Sequence, residues 1–296
     1  MNPQIPANPL AEMISTLDLA KIHNPNSRED IFEGQSQWMP HGRVFGGQVL
    51  AQSLVAASRT IDDRSVHSMH GYFLRPGDIN LPVTFSVDRL RDGRSFSTRR
   101  VQAFQKNEPI FSMIASYQVL DPGLEHQDEF PSDIPDPESL PSAADLMGDN
   151  PHPVAQYWSK ARPFDMRHVP SPIYFKVEGE PVAHQAVWLR SLGELPDNQE
   201  LHTAALAYAS DYSILESIYR RHGIAWSHPG LKSASLDHAM WFHRPARADQ
   251  WMLYVQESPS AQGGRGLAIG KIFSSRGELL ATVAQEGMVR IPELAK

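Results

Sequence analysis

Apolar positions along the chain follow two periods. Val49, Leu50, Ser53, Leu54 and Ala57 recur at helical spacing, which predicts a helix over roughly Gln48 to Arg59. A second helix is predicted over Leu201 to Arg221, closed by His222-Gly223, because a glycine just past a basic last turn is a stop signal. Strand-like segments follow each helix. After the first they are Val66–Leu74, Pro82–Leu90, Phe96–Gln105 and Pro109–Val119, punctuated by the turns Arg91-Asp92-Gly93-Arg94 and Lys106-Asn107. After the second they are Ser233–His243, Trp251–Glu257, Gly266–Phe273 and Leu279–Arg290, with turns at Ser258–Gly264 and Ser275-Arg276-Gly277. One long helix followed by an antiparallel meander, twice over, is an α+β pattern.

The two runs also share local sequence. His70-Gly71-Tyr72-Phe73-Leu74-Arg75-Pro76 and Ala239-Met240-Trp241-Phe242-His243-Arg244-Pro245 both read aromatic–Phe–x–Arg–Pro. Glu108 and Glu278, each at a turn before an apolar run, are separated by nearly the same length of chain as Arg75 and Arg244. The repeat predicts two tandem copies of one unit. The stretch between them is rich in Pro, Asp, Glu and Ser and reads as a surface linker, partly mobile. The expected organisation is an N-terminal unit over 1–120, a linker over 121–163 and a C-terminal unit over 164–296.

Composition narrows the chemistry. The chain has 296 residues, a net charge of −7 and no cysteine. Thiolate nucleophiles, disulfides and Cys-based zinc sites are therefore excluded, and a reducing compartment fits. An acidic chain is a poor nucleic-acid binder, because phosphate contacts need clustered Lys and Arg. Met1 to Leu10 carries no positive charge and does not read as a secretory signal, and no apolar run reaches a membrane span. Leu294-Ala295-Lys296 is not the peroxisomal Ser-Lys-Leu address. Cytoplasmic is the expected location.

Two polar residues interrupt apolar rows. Asp211 shares a helix face with Ala204, Ala207, Ile214, Leu215 and Ile218. A carboxylate there is paired with an arginine such as Arg244, caps a helix that breaks at this point, or is kept for function. Gln285 sits in the strand row Leu279, Ala281, Val283, Gln285, Val289, where it must find hydrogen bonds from nearby backbone or from a polar pocket. Ser235 falls in a small, polar row with Ser233, Asp237, Ala239 and Trp241, and pattern alone does not single it out. Gly46-Gly47-Gln48 opens the first helix. It can be a tight turn, or a place where free N–H groups meet a thioester carbonyl or a phosphate. His67 with His70, and His238 with His243, are at odd strand spacing and cannot share a metal, so they read as core or surface histidines. No Gly-x-Ser-x-Gly elbow is present, nor a phosphate-binding Gly-x-x-x-x-Gly-Lys. Gly263-Gly264-Arg265-Gly266 lies in a hairpin connection and is no dinucleotide fingerprint.

Five motifs in order resemble the acyl-CoA thioesterase II family. They are Arg43-Val44-Phe45-Gly46-Gly47-Gln48, His67 through Gly77, Ala209-Ser210-Asp211, Ser235 through His243, and Gln285-Glu286-Gly287. The resemblance implies a double hotdog fold, acyl-CoA as substrate, and hydrolysis to free acid and CoA without metal or cofactor. It also implies a catalytic set of Asp211, Ser235 and Gln285, with serine where the family has threonine or serine. Gly46 and Gly47 are the candidate substrate-binding positions. The first helix has no acid between Gln48 and Arg59, so one site per chain is expected. A homo-oligomer is expected, since hotdog sheets commonly pair. Two other readings stay open: a hotdog hydratase or dehydratase using an Asp–His pair, and a non-catalytic acyl-CoA sensor.

Overall fold

A computed structural model describes residues 5–23, 29–169 and 171–292. Residues 1–4 of the N-terminal stretch and the tripeptide Leu294-Ala295-Lys296, both weighed above as targeting signals, lie outside the described residues. The first half runs α1 (Pro9–Leu17), β1 (Ala20–Ile22), β2 (Asp30–Gly34), α2 (Gly46–Ser58), β3 (Ser65–Phe73), β4 (Val83–Asp92), β5 (Phe96–Gln105) and β6 (Glu108–Gln118). The connecting stretch holds a 3-10 turn (Pro137–Ser139), α3 (Ala143–Met147), α4 (Pro153–Gln156) and a π turn (Tyr157–Ala161). The second half runs β7 (Phe164–Val169), β8 (His184–Ser191), α5 (Gln199–Ser210), α6 (Glu216–Arg221), β9 (Lys232–Ser235), β10 (Asp237–Phe242), β11 (Met252–Gln262), β12 (Arg265–Ser274) and β13 (Leu279–Arg290).

The strands form one sheet in the order β1-β2-β4-β5-β6-β3-β10-β13-β12-β11-β8-β7, with β9 also paired to β13. Read from either end, the order is the same once β7, β8, β10, β11, β12 and β13 are matched to β1, β2, β3, β4, β5 and β6. The repeat seen in the sequence is thus a structural one. Its two copies meet at β3 and β10, which pair antiparallel with His70 opposite Ala239. These residues hold equivalent places before Arg75-Pro76 and Arg244-Pro245, so the pseudo-twofold passes through that pair. This is the double hotdog expected.

The sheet wraps a helical centre. Every residue of α2 from Gly47 to Leu54 is buried, as is every residue of α5 from Ala204 to Ser210. Small residues on α5, among them Ala204, Ala205 and Ala207, let the two helices pack closely. At Gly47 a Cβ would stand 2.3 Å from the Tyr208 carbonyl oxygen, so only glycine allows that approach. Two buried glutamines of α2 are paired: Gln48 Oε1 accepts from the Gln37 amide, and Gln52 Nε2 donates to the carbonyls of Thr16 and Gln35. The C-cap of α2 is Arg59, where α5 has Asp211. Ser58 meets the Tyr117 hydroxyl, and the buried Arg99 bonds Thr60 and Asp92.

Several boundaries differ from those the sequence predicts. The second helix is two helices, because the chain turns through 211–215 between Ser210 and Glu216. The segment Ser233–His243 is two strands broken at Leu236. Most of the predicted turn Ser258–Gly264 is strand. The register of β11 shifts between Glu257 and Ser260 around Pro259, and the reversal itself uses only Gly263 and Gly264, both at positive φ. The stretch expected as a partly mobile linker lies along the outer face of the second half. There Phe130, Ile134 and Leu140 pack on Trp188 and Leu253, and the Trp188 indole donates to the Pro135 carbonyl.

Candidate active site

Asp211 caps the C-terminal end of α5, where the chain leaves the helix. Its Oδ1 accepts from Ser235 Oγ at 3.0 Å and from Gln285 Nε2 at 3.0 Å, and the Gly47 amide also donates to the carboxylate. Gln285 Nε2 spends its second proton on Ser235 Oγ at 2.8 Å. The three residues singled out in the sequence therefore form one hydrogen-bonded triangle. The pairing with Arg244 weighed for Asp211 does not occur: Arg244 donates to the Leu279 carbonyl instead. Nor does Asp211 serve as an N-cap, although the helix does break there.

The break at Leu236 decides which side chains face this triangle. Ser235 pairs with Gly287 and Ala239 with Ala284 on β13. The chain thus advances four residues on one side for three on the other, which is a β-bulge. A one-residue slip moves every later side chain to the opposite face. Ser235 points inward, and so does His238. Asp237, Ala239 and Trp241, expected to share a face with Ser235, turn away from it.

His238 is the residue that pattern reading missed. It is fully buried, with Nδ1 against Gln285 Oε1 and Nε2 3.0 Å from Ser210 Oγ. Because Gln285 gives both its protons to Asp211 and Ser235, its oxygen is an acceptor. The proton of His238 must then sit on Nδ1, leaving Nε2 an acceptor that shares the single Ser210 hydroxyl proton with the Ala207 carbonyl, 2.8 Å from Ser210 Oγ. Ser210, His238 and Gln285 form a relay that fixes the amide facing Asp211. His238 itself does not touch the carboxylate.

Burial pushes the Asp211 carboxyl up to about 6, against the opposing pull of hydrogen bonds from Gln285, Ser235 and Gly47. Burial lowers His238 to about 4, offset in part by Gln285. Near neutral pH the site thus holds a largely ionised carboxylate beside a neutral imidazole.

Asp211 and Ser235 open onto a cavity of about 720 Å³, with apolar walls that include Val49, Phe73 and Leu215. Arg43, Arg75 and His41 stand at its exposed rim. Gln285 and His238 lie behind the wall. Gly46 also lines the cavity, and a Cβ there would stand 2.6 Å from Asp211 Oδ2. A separate cavity of about 560 Å³, beside Ile218, Lys232 and Val289, contains none of the triangle. The other paired histidines stay apart: His67 bonds Ser116 and His70 packs edge-on to Trp241. Among the described residues no group of three or more His, Asp or Glu can hold a metal, and no helix is long and apolar enough to cross a membrane.

The chain is similar to known proteins along most of its length. The family model described as acyl-CoA thioesterase matches residues 159–288, and that described as acyl-CoA thioesterase N-terminal domain matches residues 35–118. The chain is 39% identical to human acyl-coenzyme A thioesterase 8, over 96% of this chain and 92% of the relative. It is 38% identical to acyl-CoA thioesterase 2 of Haemophilus influenzae, over 96% of this chain and 99% of the relative. Among solved structures, an acyl-CoA thioesterase II of Mycobacterium marinum superposes with a TM-score of 0.76 at 42% identity, covering 96% of this chain and 99% of that one. A polyketide synthase dehydratase domain superposes with a TM-score of 0.55 at 14% identity, a likeness of fold alone.

Proposed function

The chain belongs to the acyl-CoA thioesterase family, and from that premise we propose that Asp211 activates the water that cleaves the thioester. The protein is a thioester hydrolase that converts acyl-CoA to free acid and CoA. The observation that carries the mechanism is the triangle itself. Ser235 and Gln285 occupy Oδ1 of Asp211, and Oδ2 is left toward the cavity beside Gly46. A water on Oδ2 gives its proton to the carboxylate as its oxygen bonds to the thioester carbon. The C–S bond then breaks, and the CoA sulfur recovers that proton from Asp211. A positioned base of this kind is worth roughly 10²–10⁴ in rate, and a carboxyl near 6 is ionised at neutral pH yet still basic enough to act.

The oxyanion needs a donor. The first N–H groups of a helix have no partner within it, and that of Gly47 is engaged by Asp211. The Gly46 amide, on the cavity wall, is our candidate, worth about 3 kcal/mol of transition-state stabilisation. The apolar walls suit a fatty acyl chain, and the basic rim suits CoA phosphates. His238 is set apart from Asp211 by Gln285, which weighs against the Asp–His pair of a hydratase.

The test is thiol release from acyl-CoAs of increasing chain length, with wild type and Asp211→Ala in parallel. Release by wild type alone is expected; equal release by the variant would remove Asp211 from the mechanism. Because Ser235 donates to Asp211, a serine nucleophile is the rival route. Quenching with a labelled acyl chain separates the two, and an ester on Ser235 would replace the water mechanism. A cytoplasmic homo-oligomer is our further reading, supported by the absence of cysteine and the open outer face at β3 and β10, where Tyr72 is exposed. Light scattering of the purified chain checks the assembly.

A further inference from the structure

The pseudo-twofold sets one half of the chain against the other, place by place. Counted across the paired strands from the β3–β10 seam, Phe85 and Val87 on β4 hold the places that Tyr254 and Gln256 hold on β11. Phe85 lies opposite Ala103 and Val87 opposite Val101, as Tyr254 lies opposite Ile272 and Gln256 opposite Gly270. All four side chains are fully buried. The copy whose helix ends in Arg59 has apolar side chains at both places, and the copy whose helix ends in Asp211 has a hydroxyl and an amide. Burying polar groups costs stability unless they are paired, so the difference needs a reason.

Both polar groups reach the segment that carries Asp211. The Tyr254 hydroxyl donates to the Ser210 carbonyl at 3.1 Å, and Gln256 Nε2 donates to Ser213 Oγ at 2.7 Å. The Ser210 carbonyl belongs to the peptide that leads into Asp211, and Ser213 follows just beyond. Carbonyls in the last turn of a helix have no partner within it and form the negative end of its dipole, where a carboxylate is disfavoured. The Tyr254 ring reaches across the sheet because Gly270 has no side chain: a Cβ there would stand 2.3 Å from Tyr254 Cε2. From β10, His238 meets the hydroxyl of the same Ser210.

We propose that Tyr254 and Gln256 are positioning residues for the hydrolysis, holding the turn after α5 so that the Asp211 carboxylate stays on the donors from Gly47, Ser235 and Gln285. This rests on the reading of Asp211 as the base. Tyr254 takes up a carbonyl whose negative end would otherwise stand free beside the carboxylate, and Gln256 keeps the turn from swinging away. Without them the three donors lengthen, and the charged form loses the support that opposes burial. The other titratable groups near Asp211 are the phenols of Tyr157, Tyr219 and Tyr254, all raised by burial, and His238, lowered to about 4. None of them changes charge near the Asp211 value of about 6, so a titration there belongs to Asp211.

The experiment compares wild type with Tyr254→Phe and Gln256→Met, which nearly keep the packing volume and remove the polar group. Phe85 already shows that phenylalanine fits this row. Two readings are taken on each protein. One is kcat and KM against pH from thiol release. The other is the titration of the Asp211 carboxyl by carbon NMR of Asp-labelled protein, its signal assigned by its loss in Asp211→Asn. Tyr117→Phe, which removes a buried hydroxyl at the end of α2, is the control. Each test variant is expected to lower kcat about tenfold with KM within about twofold, and to raise the Asp211 midpoint by about half a pH unit or more. The control should leave the midpoint in place. If one test variant fails to fold, the other decides; if both fail, the pair holds the fold rather than the carboxylate and the proposal falls. An unmoved midpoint in a folded variant also overturns it, as does an equal shift in Tyr117→Phe or a loss carried by KM alone. A raised carboxyl midpoint beside a wild-type rate that does not follow the Asp211 titration would leave the brace standing and remove Asp211 as the base.

Discussion

The Gly47 amide, on the first turn of α2 in one half of the chain, donates to the Asp211 carboxylate at the end of α5 in the other. The base belongs to the second half, but part of what holds it belongs to the first. The close approach needs two glycines. At Gly46 a Cβ would press on Asp211 Oδ2, and at Gly47 it would press on the Tyr208 backbone. Gly46→Ala should therefore fold and lose about 10²-fold or more in kcat, because the carboxylate is displaced from its water. Gly47→Ala must push two packed helices apart and should lose roughly 1–3 kcal/mol of stability, as overpacking does. Steady-state kinetics and urea melts of the two variants distinguish these outcomes.

The rate should follow the ionisation of Asp211. With its carboxyl at about 6, kcat/KM should fall about tenfold per pH unit below that value and level off above it. The profile is read from thiol release between pH 4.5 and 8. A flat profile across pH 6 would show that Asp211 does not act as the base.

Asp211→Asn should be both inactive and more stable. The folded carboxyl holds its proton more tightly than an unfolded one, whose value is near 4. Between about pH 4 and 6 the native state therefore binds more protons, and stability falls as pH rises through that window. Raising the carboxyl from near 4 to about 6 costs up to roughly 3 kcal/mol, present in full above pH 6. Asparagine carries no charge and escapes this cost. Urea unfolding should show the variant gaining over wild type at pH 7.5, with the gain gone near pH 4. Equal stabilities at both values would mean that burial costs this carboxylate nothing.

His238→Phe keeps the ring and removes the proton that fixes Gln285. Gln285 stabilises the charged form of Asp211, so loosening it should move the acid limb of the pH profile above 6 and lower kcat about tenfold. KM should change little, because His238 lies behind the cavity wall. Gln285→Ala should move the limb the same way. A simple loss of folded protein would reduce activity without moving the limb.

What the sequence revealed depended on how each residue broke a pattern. Asp211 and Gln285 were legible because each is polar in an apolar row; the row of Gln285 survives in β13, while that of Asp211 is cut where α5 ends and is still buried on both sides of the break. Ser235 was legible only through its resemblance to a family motif, since its neighbours are small and polar. His238 was hidden by the bulge at Leu236. Counting by twos from Ser235 puts it on the far face, and nothing in Ser235-Leu236-Asp237-His238 announces the slipped residue. Strand β8 was missed for another reason. From Gln185 to Leu189 it is buried on both faces, because Phe130 and its neighbours cover the outer one, so it shows no alternation.

The seam between β3 and β10 gives this chemistry a length standard. His70 stands opposite Ala239, and that register fixes where the first half lies along the second. A slip of one residue would carry one half about 3.3 Å past the other. That exceeds the tolerance of a hydrogen bond. The base would lose its amide while every strand could still find a neighbour, and the chain would look whole and turn nothing over. Joining the two copies in one polypeptide lets a single register be chosen once, for the single carboxylate that uses it.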